Sequence, residues 1–578
     1  MENNLRLWKQ LELLRSQLDN ERSSFTAHWR DLSDYILPRR SRFFVSDANK
    51  GDKRNTRIID GTGTQAAGTL RSGMMAGVTS PARPWFRLTT PDPDLAEFGP
   101  VKDWLHDVTM RMQTEFIKSN LYNVLPTTYG DIGVFATGAM LMEEDLETTS
   151  RYYSFPIGSY MIANDEKLRV RVFFREFQMT VRQLVERFGR KTPAGKPDWS
   201  VFSDYVKSAW DRGQLEQWVE VCHVIRPNPE YKPNNPLSKY KLYQSVYYEK
   251  GRGGSGGYND HNGKFLRIKG YDYFPVLVPR WETTGEDAYG TNSPGMVALG
   301  DIKQLQLGEK RLMQAVEKMI NPPMVGPTSL RNQKTSILPG DITFADIREG
   351  QAGFRPAHEV RFPIEALESK QDQVRRRVQR AFYEDLFLML ASSDRRQITA
   401  REIDERHEEK LLALGPVLEQ LNQDLLDPLI DNKFELMVRQ DKIPPPPEEI
   451  QGMDLKVEYI SIMAQAQKLV GLSGIERFTG YVGQVAQADP QVLDKVDRDQ
   501  LIDVYGDLTG IPPQIVKSDE EVAEIRAQRQ QAQQAQMKQE QMLQGAQAAK
   551  TLSDTKMEEG NALNELISQA RAGQVAEI

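Results

Sequence analysis

Prolines divide the second half of the chain into long helical segments, and this punctuation constrains the fold more than any other feature. Residues 295–320 carry apolar side chains at helical spacing, and Asn321-Pro322-Pro323 ends the segment. Pro363 begins a second helix with an apolar stripe through Leu390, and its 27 residues after the proline span about 40 Å. The residues between them are polar and turn-rich, which predicts a few small strands over 324–362.

A third helix begins after a very short connector. Thr399 and Glu402 form a capping box, so we expect a helix from about Thr399 to about Gln440. Only residues 391–397 then remain to join two long helices. Beyond Gln440, periodicity predicts helices over 455–471, 474–487, 491–506 and 518–550.

The first 290 residues have a mixed character. Helical periodicity covers 5–37 and 101–119, whereas 169–177 alternates as a strand does. Residues 240–249 and 264–268 flank a glycine-rich stretch and predict a long hairpin. The fold class predicted for the whole chain is therefore α+β, mainly helical.

Composition excludes several classes of protein. With 578 residues, 39% of them apolar, the chain is long enough for several packed units and too apolar to be wholly disordered. A net charge of −7 argues against coating nucleic acid by bulk charge. One cysteine, Cys222, favours a reducing compartment. We expect a soluble intracellular chain, because neither a secretory signal nor an uncharged spanning segment is evident.

The sequence shows no recognisable catalytic motif. No stretch matches a phosphate loop, and Gly61, Gly63 and Gly68 have the wrong spacing for a dinucleotide loop. Cys222 and His223 are neighbours on a predicted strand over 218–225, so they point to opposite faces. We expect no enzymatic activity and no cofactor.

Metal sites are not favoured either. The six histidines lie far apart, without the spacing that a zinc site needs. The acidic run Glu143-Glu144-Asp145, with Glu147, offers carboxylates for Mg²⁺, but a solvated charged face is the favoured interpretation.

Two basic features remain. The first is a cluster on the second long helix, for which inter-subunit ion pairs are favoured over DNA contact; it comprises Arg375, Arg376, Arg377 and Arg380. The second is Arg395 and Arg396, at the tip of the short connector, where no core requires them. Taken alone, that connector is interpreted as a solvated turn.

Several stretches together resemble a known family, the portal proteins or head-to-tail connectors of short-tailed double-stranded DNA bacteriophages. The resemblance rests on motifs that occur in the family's order over about residues 5–520. They are Leu70-Arg71-Ser72-Gly73-Met74-Met75-Ala76-Gly77-Val78-Thr79-Ser80-Pro81, Trp85-Phe86, Pro156-Ile157-Gly158-Ser159-Tyr160, Tyr289-Gly290, Ser293-Pro294-Gly295, Asn321-Pro322-Pro323, Ile398-Thr399-Ala400-Arg401-Glu402-Ile403 and Leu414-Gly415-Pro416-Val417-Leu418.

The resemblance implies a portal fold with a fixed order of parts. They are a mixed α/β wing body (1–293), a first stem helix (294–320), a clip (321–362), a second stem helix (363–390), a channel loop (391–398), a long wing helix (399–443), a crown (444–516) and a C-terminal barrel helix with its tail (517–578). The glutamine-rich helix over 518–550 is the expected barrel element.

It also implies a function and partners. A dodecameric homo-oligomer at the unique portal vertex of the virion would pass double-stranded DNA during packaging and ejection, after assembly in the host cytoplasm. The clip would dock the terminase and later the head-tail adaptor, and the wing would meet the major capsid protein and scaffolding protein. No membrane contact is expected. The residues expected to face DNA in the channel are Ser392, Ser393, Asp394, Arg395 and Arg396.

Two alternatives belong to other classes. A packaging ATPase-nuclease would require a phosphate loop, which the sequence lacks. A non-viral helical scaffold protein would show sustained heptads, whereas these helices are interrupted by proline-rich links and follow a β-containing body.

Overall fold

The computed structural model describes most of the chain as a body of helices and sheets. The described residues are 2–43, 54–92, 95–96, 98–189, 198–250, 264–325, 355–356, 363–393, 414–509, 516–517 and 519–553. Its α-helices are α1 (Glu2–Tyr35), α2 (Thr62–Val78), α3 (Gly99–Lys118), α4 (Leu121–Phe135), α5 (Val181–Phe188), α6 (Asp204–Asp211), α7 (Pro294–Ile320), α8 (Ile364–Ala381), α9 (Glu384–Ser393), α10 (Asp427–Arg439), α11 (Ile462–Ala488), α12 (Arg498–Thr509) and α13 (Asp519–Ser553).

The strands form antiparallel sheets. They are β1 (Phe86–Thr89), β2 (Met140–Asp145), β3 (Thr149–Ser154), β4 (Tyr160–Asn164), β5 (Val170–Thr180), β6 (Trp218–Pro227), β7 (Tyr243–Glu249), β8 (Phe265–Tyr271), β9 (Val276–Leu277), β10 (Met324–Val325), β11 (Arg355–Pro356) and β12 (Lys456–Tyr459). The largest sheet has the order β4-β5-β6-β7-β8, and β3-β2-β9 form a second. Mixed helix and sheet, with helix predominating, agree with the predicted fold class.

The predicted hairpin is confirmed, since β7 and β8 pair in antiparallel register. Strand β6 is also confirmed, and it places Cys222 and His223 on opposite faces. Cys222 packs in an apolar cluster with Leu11 of α1. The His223 ring stacks on Tyr247 at 3.7 Å between ring centres. The two side chains therefore do not form a nucleophile and base pair.

The main apolar core lies between α2, α4 and the helices that follow Ser293. These helices approach one another closely because glycines lie at their contacts, in two of the segments that resemble the portal family. A Cβ on Gly73 would overlap the Phe387 ring of α9, and a Cβ on Gly295 would lie 2.7 Å from the Val134 Cα of α4. Close packing of α2, α7 and α9 in the core therefore requires that positions 73 and 295 carry no side chain, as in Gly73 and Gly295.

Four sequence predictions need correction. The helix expected over 363–390 is interrupted, because α8 ends at Ala381 and Tyr383 adopts a left-handed φ of 55° before α9 begins. Helix α9 continues to Ser393, so residues 391–393 are helical and not loop. Residues 456–459 form β12, paired with β1, and one helix, α11, spans the break predicted between 471 and 474.

The predicted capping box at Thr399 and Glu402 lies outside the described residues, as does most of the segment between β10 and β11. Within the described part of the chain, no helix combines the length and the apolarity that a membrane crossing requires.

Candidate functional site: the paired helices α7 and α8

Helix α7 is fixed to the body at its first turn. Ser293 caps the helix by accepting from the Met296 backbone N–H at 3.3 Å, and its hydroxyl donates to the Val134 carbonyl at 2.9 Å. Pro294 occupies the first helical position, where its missing N–H costs nothing. The segment 293–295 therefore sets both the start and the direction of α7.

Helices α7 and α8 form a hairpin whose far end leaves the body. The buried residues of α7 all lie in its first half, up to Gln306, whereas those of α8 begin only at Gln371, two turns into the helix. The far half of α7 exposes apolar side chains, including 66% of Met313 and 79% of Ile320. At 1.5 Å per residue, the 27 residues of α7 span about 40 Å.

Arg375 joins the two helices to the segment that precedes α2. Its Nε donates to Asp60 at 2.9 Å, and its other nitrogens contact Asp372 at 2.7 Å and Glu309 of α7. Burial would raise the pKa of Asp60, but hydrogen bonds from Thr62 and Arg375 outweigh burial and lower it. Asp60 is therefore held as a carboxylate at this junction.

Gln306 completes the same junction from α7. Its side-chain oxygen accepts from the backbone N–H groups of Ile59 and Asp60 at 2.6 and 2.8 Å, and its nitrogen donates to the Asp60 carbonyl at 2.8 Å. Lys303, one turn earlier, contacts Asp31 of α1 at 2.6 Å. Sequence reasoning missed Asp60 and Gln306, because each finds its partner far along the chain and neither belongs to a local motif.

The remaining arginines of the predicted basic cluster face outward. Arg377 pairs with Asp301 of α7 at 2.7 Å, within the same subunit. Arg376 and Arg380 are exposed. Arg375 and Arg377 thus stabilise the α7–α8 pair internally, and contact of the cluster with a neighbouring subunit or DNA stays a prediction.

The predicted DNA-facing residues begin in the last turn of α9. Ser392 and Ser393 form the last turn of that helix. Asp394, Arg395 and Arg396 lie outside the described residues. Helix α9 itself is seated on α2 through Phe387, whose ring occupies the space that Gly73 leaves. The position from which the connector departs is therefore fixed by the core.

The acidic run weighed as a metal site has protein partners instead. Glu143 accepts hydrogen bonds from Arg187 at 3.1 and 3.2 Å and from the Tyr247 hydroxyl at 3.2 Å. Glu144 accepts from Gln440 at 3.1 Å. Among the described residues, no group of three or more acidic, histidine or cysteine side chains has the geometry to hold a metal ion.

A comparison of the chain with models of known protein families identifies its family. The family model for the bacteriophage head to tail connecting protein matches residues 9–516, which include α7, α8 and the two larger sheets. The chain belongs to this family. Portal proteins of this family are structural connectors and virion components of phages, so its role is structural and lies in joining phage head to tail.

Two phage proteins are similar in sequence to this chain over nearly its whole length. The portal protein of Salmonella phage epsilon15 is 47% identical over 569 residues, covering 98% of this chain and 99% of that protein. The probable portal protein of Bordetella phage BPP-1 is 44% identical over 550 residues, covering 95% of this chain and 96% of its own length.

Proposed function

We propose that this chain forms a dodecameric ring at one capsid vertex and that double-stranded DNA passes through the ring during packaging and ejection. The observation that carries the proposal is the α7–α8 hairpin, anchored at one end and exposing apolar side chains at the other. Such a hairpin, repeated around an axis, forms the wall of a channel. Its exposed apolar residues, such as Met313 and Ile320, then pack against neighbouring subunits.

We propose the same division into parts that the sequence suggested. The wing body takes residues 1–293, the stem helices take 294–320 and 363–390, and the clip takes 321–362 between them. The channel loop then takes 391–398, of which 391–393 continue α9. The long wing helix takes 399–443, the crown 444–516, and the barrel helix with its tail 517–578. The pairing of β10 with β11 supports a separate clip, since it brings the two ends of that segment together.

This division assigns a partner to each part. The clip would lie at the projecting end of the stem, where it would dock the terminase during packaging and the head-tail adaptor afterwards. The wing body would contact the major capsid protein and scaffolding protein. Exposed Arg376 and Arg380 lie on the stem, where a neighbouring subunit or passing DNA would meet them.

Charge supports a channel through which DNA slides. Twelve copies of a chain with net charge −7 carry −84, so the ring as a whole repels DNA. Each phosphate neutralised by a protein cation adds affinity and slows release, so a channel needs few cations. Arg395 and Arg396 at the connector tip would centre the duplex without trapping it.

Charge reversal at the connector tests this function. We expect Arg395→Glu combined with Arg396→Glu to leave rings intact and to lower the amount of DNA packaged or retained, because the loop then repels the duplex. A matched control is Arg182→Glu with Arg212→Glu, which makes the same charge change at exposed positions of the body. Packaging assays with intact rings measure the effect. Normal packaging by the connector variant contradicts the proposed role of these two arginines.

A further inference from the structure

One face of the five-stranded sheet carries a row of polar and aromatic side chains. Arg175, His223, Tyr247 and Arg267 stand directly opposite one another on β5, β6, β7 and β8. Because side chains of a strand alternate, Lys269 lies on the same face as Arg267. Helix α5 adds Arg187 against this face. We call the four cations of this face, which are Arg175, Arg187, Arg267 and Lys269, the sheet cluster.

Aromatic rings and a neutral imidazole surround the first of these cations. The Arg175 guanidinium lies 4.4 Å from the Phe155 ring centre and 4.3 Å from that of Phe177. Its Nε donates to His223 Nδ1 at 3.2 Å. An arginine can only donate, so the other histidine nitrogen carries the proton and donates to Ser245 at 3.0 Å. His223 is therefore neutral and offsets none of the positive charge.

The carboxylates that the described residues place here are fewer than the cations. Glu143 is bonded by Arg187 and by the Tyr247 hydroxyl, and Glu144 stands beside it on β2. Burial lowers the pKa of Lys269 to about 8, although Glu143 opposes the shift. Four cations thus face two carboxylates in a partly buried place, where an uncompensated charge is unfavourable.

Two buried donors on β8 also lack an acceptor. Arg267 Nε and the Tyr271 hydroxyl have no hydrogen-bond partner among the described residues. The Tyr271 hydroxyl lies within electrostatic range of both Arg267 and Glu143. Buried polar groups are nearly always hydrogen-bonded, so two unpartnered donors beside surplus positive charge indicate a missing acceptor with negative charge.

We propose that the sheet cluster is a binding site for an oxyanion, held by Arg267, Lys269 and the Tyr271 hydroxyl. Charge-assisted hydrogen bonds from arginine and lysine favour phosphate and carboxylate oxygens. The surplus of two positive charges matches inorganic phosphate as its dianion. An acidic side chain of a partner protein presents the same oxygen chemistry, and the experiment separates the two sources.

The test is calorimetric titration of the full chain with inorganic phosphate, and separately with a short glutamate-rich peptide, at constant ionic strength set with chloride. We expect phosphate to bind wild type and Arg182→Gln equally, since Arg182 is an exposed arginine on α5 that pairs with Glu216. Arg267→Gln and Lys269→Gln should weaken binding by about tenfold or more, because each removes a charged donor. Tyr271→Phe should weaken it by a smaller factor.

Each outcome decides the proposal. Phosphate binding that these three variants weaken supports a free anion as the ligand. Peptide binding with the same variant dependence, and no response to phosphate, supports an acidic partner. Binding of neither probe overturns the proposal, as does binding that all variants retain. Tyr271→Phe removes one hydroxyl only, so it keeps the test decisive if the charge variants do not fold.

Discussion

At the scale of single residues, close contact with α9 explains Gly73, a glycine of the segment 70–81. Helix α2 passes so near α9 that Gly73 leaves room only for the Phe387 ring. Gly68, on the same helix, has no atom within 4 Å of the position of an added Cβ. Two glycines five residues apart in one helix therefore have different physical roles.

These two glycines give a matched pair of substitutions. We expect Gly73→Ala to destabilise the protein by about 1–3 kcal/mol, because overpacking displaces the Phe387 ring. Gly68→Ala should instead leave stability unchanged or raise it by roughly 0.5–1 kcal/mol, since alanine favours a helix. Denaturant unfolding of both variants measures the difference. Equal effects at the two positions would contradict the assigned contact.

Lys433 is a second residue with a measurable consequence. Its side chain is fully buried in α10, and its Nζ lies 2.8 Å from Ser150 Oγ. Burial lowers the pKa of Lys433 to about 7, with Glu115 opposing the shift and Lys442 adding to it. The folded protein therefore stabilises the charged form of Lys433 less than the unfolded chain does.

Because of Lys433, the free energy of unfolding should depend on pH. Between pH 7 and the ordinary lysine value of 10.5, the unfolded chain binds more protons, so the free energy of unfolding rises with pH. We expect Lys433→Met to be more stable than wild type near pH 7 and to lose this advantage towards pH 10. Lys207→Met, at an exposed position, is the control. Parallel stability curves for wild type and Lys433→Met would show that Lys433 does not titrate in this window.

At the scale of elements, sequence reasoning succeeded where local signals decide the structure. Prolines and periodicity located α7 to within one residue of its observed bounds. Prediction from the sequence failed where contacts between distant parts of the chain determine the structure. Strand β12 forms because residues 456–459 pair with β1, some 370 positions earlier in the chain, and Tyr383 breaks the predicted helix where Phe387 must meet Gly73. Periodicity cannot report such contacts, nor the Asp60–Arg375 junction.

The α7–α8 junction gives the prediction at this scale. Arg375→Gln should destabilise the protein by roughly 1–3 kcal/mol, because it leaves the largely buried Asp60 carboxylate without its cation. Arg377→Gln, on the same helix, should cost about 0–1 kcal/mol, since its pair with Asp301 is more exposed. Thermal unfolding near pH 7 compares them. A greater loss in Arg377→Gln would contradict the junction described here.

At the scale of the whole molecule, a single subunit leaves apolar surface exposed. The far half of α7 exposes Met313, Met319 and Ile320, and the next strand exposes Met324 and Val325. Exposed apolar residues in such continuity are typical of surfaces that pack against a partner. In the ring proposed above, that partner is a further copy of the chain.

The most direct test of this account is electron microscopy of the purified full chain, combined with native mass measurement. The account predicts closed rings with a central opening wide enough for a DNA duplex, and a mass of twelve subunits. The wall of that opening should consist of α7 and α8. A compact monomer at every concentration, which persists after scaffolding and capsid proteins are added, would contradict the ring and the channel together.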